Sequence, residues 1–367
     1  MRRWFAFLFL GSLLAQSSPE HVTVYSQKGR YAGWPANHGI WSWGDEILVG
    51  FESGAFRVND RGMHAIDYNS PEEHLLARSL DGGRTWKVEK PSGLIPPPGT
   101  QMAGVPVEEG GRPVTDCQAT NGFDQAGFLF TFRMESFHTG PARYYFSRDK
   151  GKTWSGPCRL PDFETKGIAA RTDYLVEGPR QAIAFLTAAK PNAREGRPFA
   201  ARTKDGGQTW QFVSWIGPEP AGFSIMPSSV RLSPTEIVTA VRRQEKGEAW
   251  IELWRSTDNA ATWSLSSEVT AVRTRNAGNP PSLVKLRDGR VAVTYGHREA
   301  PFGIRARVSS DGGRTWAPEI VLRADGGGRD LGYTRTVQRK DGALVTVYYY
   351  NLNESAERTI EATIWRP

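Results

Sequence analysis

Residues Ser309–Trp316 read SSDGGRTW, and the pattern Ser/Thr-x-Asp-x-Gly-x-Thr-Trp returns along the chain. It stands as SLDGGRTW from Ser79, SRDKGKTW from Ser147 and TKDGGQTW from Thr203. A degenerate copy, STDNAATW, begins at Ser256 with Ala260 in the glycine place. The aspartates fall at 81, 149, 205, 258 and 311, in steps of 68, 56, 53 and 53. Such near-constant spacing marks a repeat architecture, in which each copy builds one unit of a larger closed or stacked array. An Asp carboxylate accepts backbone N–H bonds inside a tight turn, and Gly supplies the positive φ that other residues resist. The Thr starts the next strand and the Trp anchors the turn to the layer beneath. An aspartate repeated in every unit is scaffolding, not chemistry.

A second element accompanies the boxes. It is a turn followed by an apolar strand, as in Gly44-Asp45-Glu46 before ILVGF, Pro234-Thr235-Glu236 before IVTAV and Asp341-Gly342-Ala343 before LVTVYYY. There are six such units against five boxes, and the last unit ends in the strand IEATIW. The strand missing there is available at the other end, in HVTVYS at 21–26. Closing the ring with it removes the open sheet edges. The pattern therefore predicts an all-β fold, a single six-bladed β-propeller of four-stranded blades over residues 20–367. The inner strand of blade two is expected in DCQATNGF, residues 116–123. The Pro/Gly-rich stretch 90–113 reads as a long loop.

Composition agrees. Gly (39) and Pro (24) are frequent among 367 residues, and 13 Trp call for a large packed interior. A helical bundle, a coiled coil and a disordered scaffold are disfavoured. Residues 1–17, MRRWFAFLFLGSLLAQS, have two Arg, an apolar run and then small residues, as in a secretory signal peptide. The expectation is a secreted or periplasmic monomer with no membrane insertion of the mature chain. The net charge of +7 is scattered, which suits a basic pocket for an anionic partner and not nucleic acid. Two cysteines, Cys117 and Cys158, leave a disulfide open. The six His show no metal-ligand spacing, so neither a metal nor another cofactor is expected.

The boxes resemble the Asp-box, or bacterial neuraminidase repeat, of the sialidase superfamily. That resemblance implies three arginines on a substrate carboxylate, a Tyr nucleophile partnered by a Glu, and an Asp as acid/base. Gly332-Tyr333-Thr334 is similar to the nucleophile segment, Arg242 to the second arginine, and Arg305 to the third. Asp60 and Asp67 both fit the acid. The sequence departs from the family twice. Gly33-Trp34-Pro35 stands where the first arginine belongs, and Met226 stands where the Glu belongs. His297 and Glu299 are candidate replacements for the lost base. Arg298, Arg171, Arg335, His38, His64 and Asp173 are candidate binding residues, because polar side chains at the inner strands and strand ends can face the central funnel. Asp116 belongs to the same class. Three readings follow: a glycosidase acting on an acidic or polar glycan, a uronate lyase, and a non-catalytic glycan- or protein-binding propeller.

Overall fold

The computed structural model describes residues 18–58, 64–70, 72–96, 111–136, 138–270, 272–275, 278–353 and 355–367. Asp60 and residues 1–17 lie outside them. Six sheets follow one another along the chain. Blade three is Tyr174–Gly178, Gln181–Ala189, Glu195–Thr203 and Gln211–Trp215, in that order from inside to outside. Blades four and five repeat the arrangement. Blade six has Gly332–Gln338, Leu344–Tyr350 and Thr359–Trp365, and is completed by Glu20–Tyr25, which pairs antiparallel with Thr359–Trp365. The expected ring closure is thus present.

Blades one and two depart from regularity. In blade one the inner position is split: Arg30–Gly33 and Ile40–Trp43 both pair with Glu46–Ala55, with a single helical turn, Pro35–His38, between them. Pro35 opens that turn, where its missing N–H costs nothing. Among the described residues, blade two has three strands, Leu129–Met134, Ala142–Ser147 and Ser155–Leu160. The expectation of an inner strand at 116–123 is corrected. Thr115 bridges to Cys158 on the outermost strand, and Cys117 is disulfide-bonded to Cys158 with a Cα–Cα distance of 5.3 Å. This covalent tie holds the start of the segment on the blade's outer edge, and Thr120, Gly122 and Phe123 then donate their N–H groups to the Gly206 and Pro179 carbonyls of blade three. Asp116 accordingly pairs with Arg159 at the surface and takes no part in the funnel.

The boxes are built as their residues dictate. Asp311 accepts from the Thr315 N–H (2.9 Å), the Thr315 hydroxyl (2.6 Å) and the Ser309 hydroxyl (2.7 Å). The Ser309 hydroxyl oxygen in turn accepts from Gly313 N–H at 2.7 Å. The glycine position has φ of 79–91° in the four regular boxes, and Ala260 adopts 69° in the degenerate one. Each box Trp rivets its blade to the preceding one. Trp210 of blade three packs its ring 5.7 Å from Phe132 of blade two, and Trp316 of blade five donates to Ser267 of blade four. Buried apolar clusters occupy the seams between successive blades, including the closing seam that joins Val345 and Val347 to Ile47 and Val49. The core is a ring of interfaces. The boxes and the turns between first and second strands share one end of this ring. The ends of the second strands and the starts of the first and third strands meet at the other end, where the candidate site residues gather.

Candidate functional site

Three positions singled out by the sequence share an unusual backbone. Trp34, Met226 and Tyr333 have φ of 59°, 57° and 52°, the left-handed region that bulky side chains avoid. The register of the inner strands shifts between Ile225 and Ser228 and between Gly332 and Arg335. Strain of about 1–3 kcal/mol per residue persists only where the surroundings enforce it, and it clusters at functional sites. Met226 and Tyr333 stand where the resemblance expects the glutamate and the tyrosine, and Trp34 follows Gly33, which takes the place of the first arginine. Only the tyrosine has the expected side chain.

Tyr333 is half-buried and packs beside Met226 and Ala36. Its hydroxyl makes no hydrogen bond among the described residues. The Arg298 guanidinium lies 5.5 Å from its ring centroid. Arg298 follows the strand Val291–His297; its Nε donates to the Leu331 carbonyl and its Nη2 to the Tyr349 hydroxyl at 2.7 Å. Arg242, near the end of Ile237–Glu245, lies 5.4 Å over the Phe223 ring and makes no ion pair or hydrogen bond among the described residues. Its Nε is buried and unpartnered. Burial pulls its pKa down, and Tyr333 and Glu195 oppose the shift. Arg298 and Tyr333 are thus electrostatic neighbours of Arg242. A cation that is desolvated but unpaired gains by meeting an anion.

Asp330 anchors the wall beside Tyr333. It accepts from Arg358 Nε (3.0 Å), Ala65 N–H (3.0 Å) and the Tyr349 hydroxyl (2.9 Å), and lies 2.6 Å from His64 Nδ1. These partners, His64 foremost, outweigh burial and hold its carboxyl well below the usual range. The His64 ring meets those of Trp34 and Tyr333 edge-on, at 5.1 and 6.1 Å.

A second polar cluster is buried next to this wall. His38 Nε2 lies 3.0 Å from a Glu52 oxygen, and His74 Nε2 lies 3.9 Å from the same atom. Burial pushes Glu52 up and both His down. Glu72, also buried, rises to about 8 for the same reason. Tyr68 shares the electrostatic field of Glu72, Asp330 and Tyr333, which places this acid toward the same end. The His38, His74 and Glu52 ligand atoms lie within 4.8 Å of one another, close enough to meet at a metal. The hydrogen bonding does not suit one. Arg133 Nε–H donates to His74 Nδ1 at 3.2 Å, so the neutral ring carries its proton on Nε2 and has no lone pair there. Arg133 and Arg143 already supply positive charge to Glu52.

The structure separates the other sequence candidates. Arg305 is corrected: it pairs with Glu319 at 3.3 Å and donates to the carbonyls of Arg323 and Pro301, which takes up its guanidinium. His297 lies in the electrostatic field of Arg305, Glu319 and Glu299. Asp67 accepts from its own loop, Asn69 N–H and the Ser70 hydroxyl, and closes a turn. Arg171 donates to Asn37 and pairs with Glu195. Arg335 and Asp173 line the central channel below. Arg335 donates to the carbonyls of Ala36 and Thr172, and Asp173 accepts from Ser229 while burial pushes it up to about 7. Asp330, Tyr349, Glu52 and Glu72 were missed by sequence reading. Glu72 lies five residues after Asp67, but nothing local distinguished it from its neighbours.

Comparison with known proteins fits this geometry. The family described as "BNR repeat-like domain" matches residues 124–346, more than half of the chain. A protein of Bacteroides fragilis named "Sialidase" is 23% identical over 309 residues, covering 74% of this chain. That alignment takes in 54% of the relative, so the chain spans about half its length. A Dyadobacter fermentans protein of unknown function superposes with a TM-score of 0.71 at 21% identity, covering 95% of this chain and 98% of that one. An α-L-arabinofuranosidase from Fusarium graminearum, solved with an iminosugar inhibitor, superposes at 0.61 with 14% identity, covering 96% and 98%. The repeat match and the six-bladed architecture agree: this chain belongs to the BNR repeat-like domain family, within the sialidase-like superfamily of β-propellers.

Proposed function

We propose that the chain is an exported glycoside hydrolase that removes an acidic sugar unit from a glycan. Arg242 and Arg298 receive the sugar carboxylate, and Tyr333 lies against the reacting carbon. The observation that carries this reading is the desolvated, unpaired Arg242 guanidinium in the field of Tyr333 and Arg298. A carboxylate there gains charge-assisted bonds without displacing an internal partner. The names of the sialidase and arabinofuranosidase relatives support glycoside hydrolysis as the class of reaction. The test is a panel of sialoside, uronoside and arabinoside reporters. A sugar-acid reporter is expected to turn over, and Tyr333→Phe is expected to lower kcat by about a hundredfold or more, the scale of a group used in the transition state. Turnover of the neutral arabinoside alone overturns the acidic-sugar assignment. An unsaturated product indicates elimination instead of hydrolysis.

A second reading rests on Met226. An apolar side chain packs beside Tyr333, where the family keeps the carboxylate that activates its nucleophile. That favours a propeller that binds glycans without cleaving them. Glycan binding with no product from any bound ligand would establish it.

A further inference from the structure

We propose that His64 and Asp330 form a general acid/base dyad for this site, with His64 Nε2 exchanging the proton and Asp330 positioning it. The inference rests on the hydrolase reading above. It supplies the proton-transfer group that Asp67, tied into its own turn, does not.

Asp330 is ionised and acceptor-only, so the His64 nitrogen 2.6 Å away carries a proton and donates it. That fixes the tautomer. In the neutral ring the lone pair lies on Nε2, which has no partner among the described residues. Asp330 cannot rotate, because Arg358, Ala65 N–H and Tyr349 hold its two oxygens. The imidazole is steadied by ring contacts with Trp34, Tyr333 and Tyr349. It remains open enough to meet a ligand, with 23% of its side chain accessible. Tyr349 ties the dyad to the carboxylate pocket: its hydroxyl accepts from Arg298 and donates to Asp330. The group that holds the sugar acid and the group that moves the proton therefore share one hydrogen-bonded wall.

The step balances on these atoms. Protonated His64 gives its Nε2 proton to the glycosidic oxygen as the bond from that oxygen to the anomeric carbon breaks. The electron pair leaves with the oxygen, and Tyr333 oxygen faces the electron-poor carbon. Water then bonds to that carbon and surrenders a proton to Nε2, which restores the imidazolium. A sugar with a free anomeric hydroxyl and one alcohol form from one glycoside and one water.

The test compares His64→Gln and Asp330→Asn with the wild type on substrates sharing one sugar but differing in leaving group. With an alkyl leaving group, which needs protonation, kcat/KM for His64→Gln is expected to fall by about 10²–10⁴. With a strongly acidic phenol as leaving group the fall is expected to stay below about tenfold. Asp330→Asn should lower kcat on the alkyl substrate while KM changes little. Equal losses on both substrates would overturn the acid role. Nitrogen-15 NMR of the histidine rings separates this from a failure of the hydrolase reading. A neutral His64 bearing its proton on Nε2 overturns the dyad, whatever the activity. The Nδ1–H form in the wild type, lost in Asp330→Asn, supports it. If that form is found and no glycoside is cleaved, the hydrolase reading fails and the acid/base role fails with it, while the Asp330–His64 pairing stands.

Discussion

Replacing Asp311 by Ala removes the acceptor at the heart of one box. The carboxylate takes bonds from Arg314 N–H, Thr315 N–H, the Thr315 hydroxyl and the Ser309 hydroxyl, at 2.9, 2.9, 2.6 and 2.7 Å. The Thr315 and Arg314 donors face solvent, so water takes over there and the loss resembles that of a strong capping residue, about 1–2 kcal/mol. The Ser309 hydroxyl is more enclosed, and leaving it without its acceptor adds about 1 kcal/mol. The total is about 2–3 kcal/mol. At about 2.1 cal/mol/K per residue, unfolding this chain carries an entropy near 0.8 kcal/mol/K, so Tm should fall by about 3–4 °C. The box lies at the opposite end of the ring from Tyr333, so kcat/KM should not change. The effect also has a pH signature. These aspartates have folded-state pKa values below the unfolded one, at about 2 for Asp81 and Asp258 and lower for Asp311. Their stabilisation is present above the unfolded value near 4 and is lost as pH falls through the folded value. The gap in Tm between wild type and Asp311→Ala, measured by calorimetry, should narrow from about pH 5 to about pH 2. A Tm unchanged at neutral pH would refute the scaffolding argument. So would a folded variant without turnover.

Three further outcomes follow from the same structure. Glu72 has a folded-state pKa raised to about 8, so its favourable contribution is complete below the unfolded value and is lost as pH rises through 8; Glu72→Gln should raise Tm relative to wild type above about pH 8 and not near pH 4, as thermal scans at the two values will show. Reducing Cys117–Cys158, which spans 41 residues, should cost about 4 kcal/mol by loop entropy, seen as a lower Tm in dithiothreitol that Cys158→Ala reproduces. Arg298→Met removes both the proposed carboxylate ligand and the partner of Tyr349, so the KM for a sugar-acid reporter should rise at least about tenfold, the scale of a lost charge-assisted bond.

The architecture was legible because its determinants are local. Each box carries its own turn chemistry, and five copies at near-constant spacing leave little freedom for another fold. The closing strand could be read because an unpaired strand at one end matched a vacancy at the other. Blade two was misread because a disulfide, a constraint between residues 41 apart, draws Cys117 to the outermost strand, and Thr120, Gly122 and Phe123 bond to blade three. The site was half legible. Tyr333, Arg242 and Arg298 lie at strand ends that face the funnel, whereas Arg305 and His297 lie on the opposite face of blade five and meet Glu319. Asp330 could not be found in advance, because its importance comes from Arg358, Tyr349, Ala65 and His64 converging on it from distant segments. The buried set of His38, His74, Glu52 and Glu72 is equally non-local, and its shifted pKa values arise from burial that sequence spacing does not encode.

The central claim is that the funnel end of the propeller is built to receive a carboxylate-bearing sugar. Calorimetric titration of the wild type and of Arg242→Met with a sugar acid and with the matching neutral sugar tests it most directly. The account predicts that the acid binds at least about tenfold more tightly, the worth of one charge-assisted bond, and that Arg242→Met narrows this preference by about tenfold while the neutral sugar binds as before. Equal affinity for the two sugars in the wild type, or an acid preference left unchanged by Arg242→Met, would contradict it.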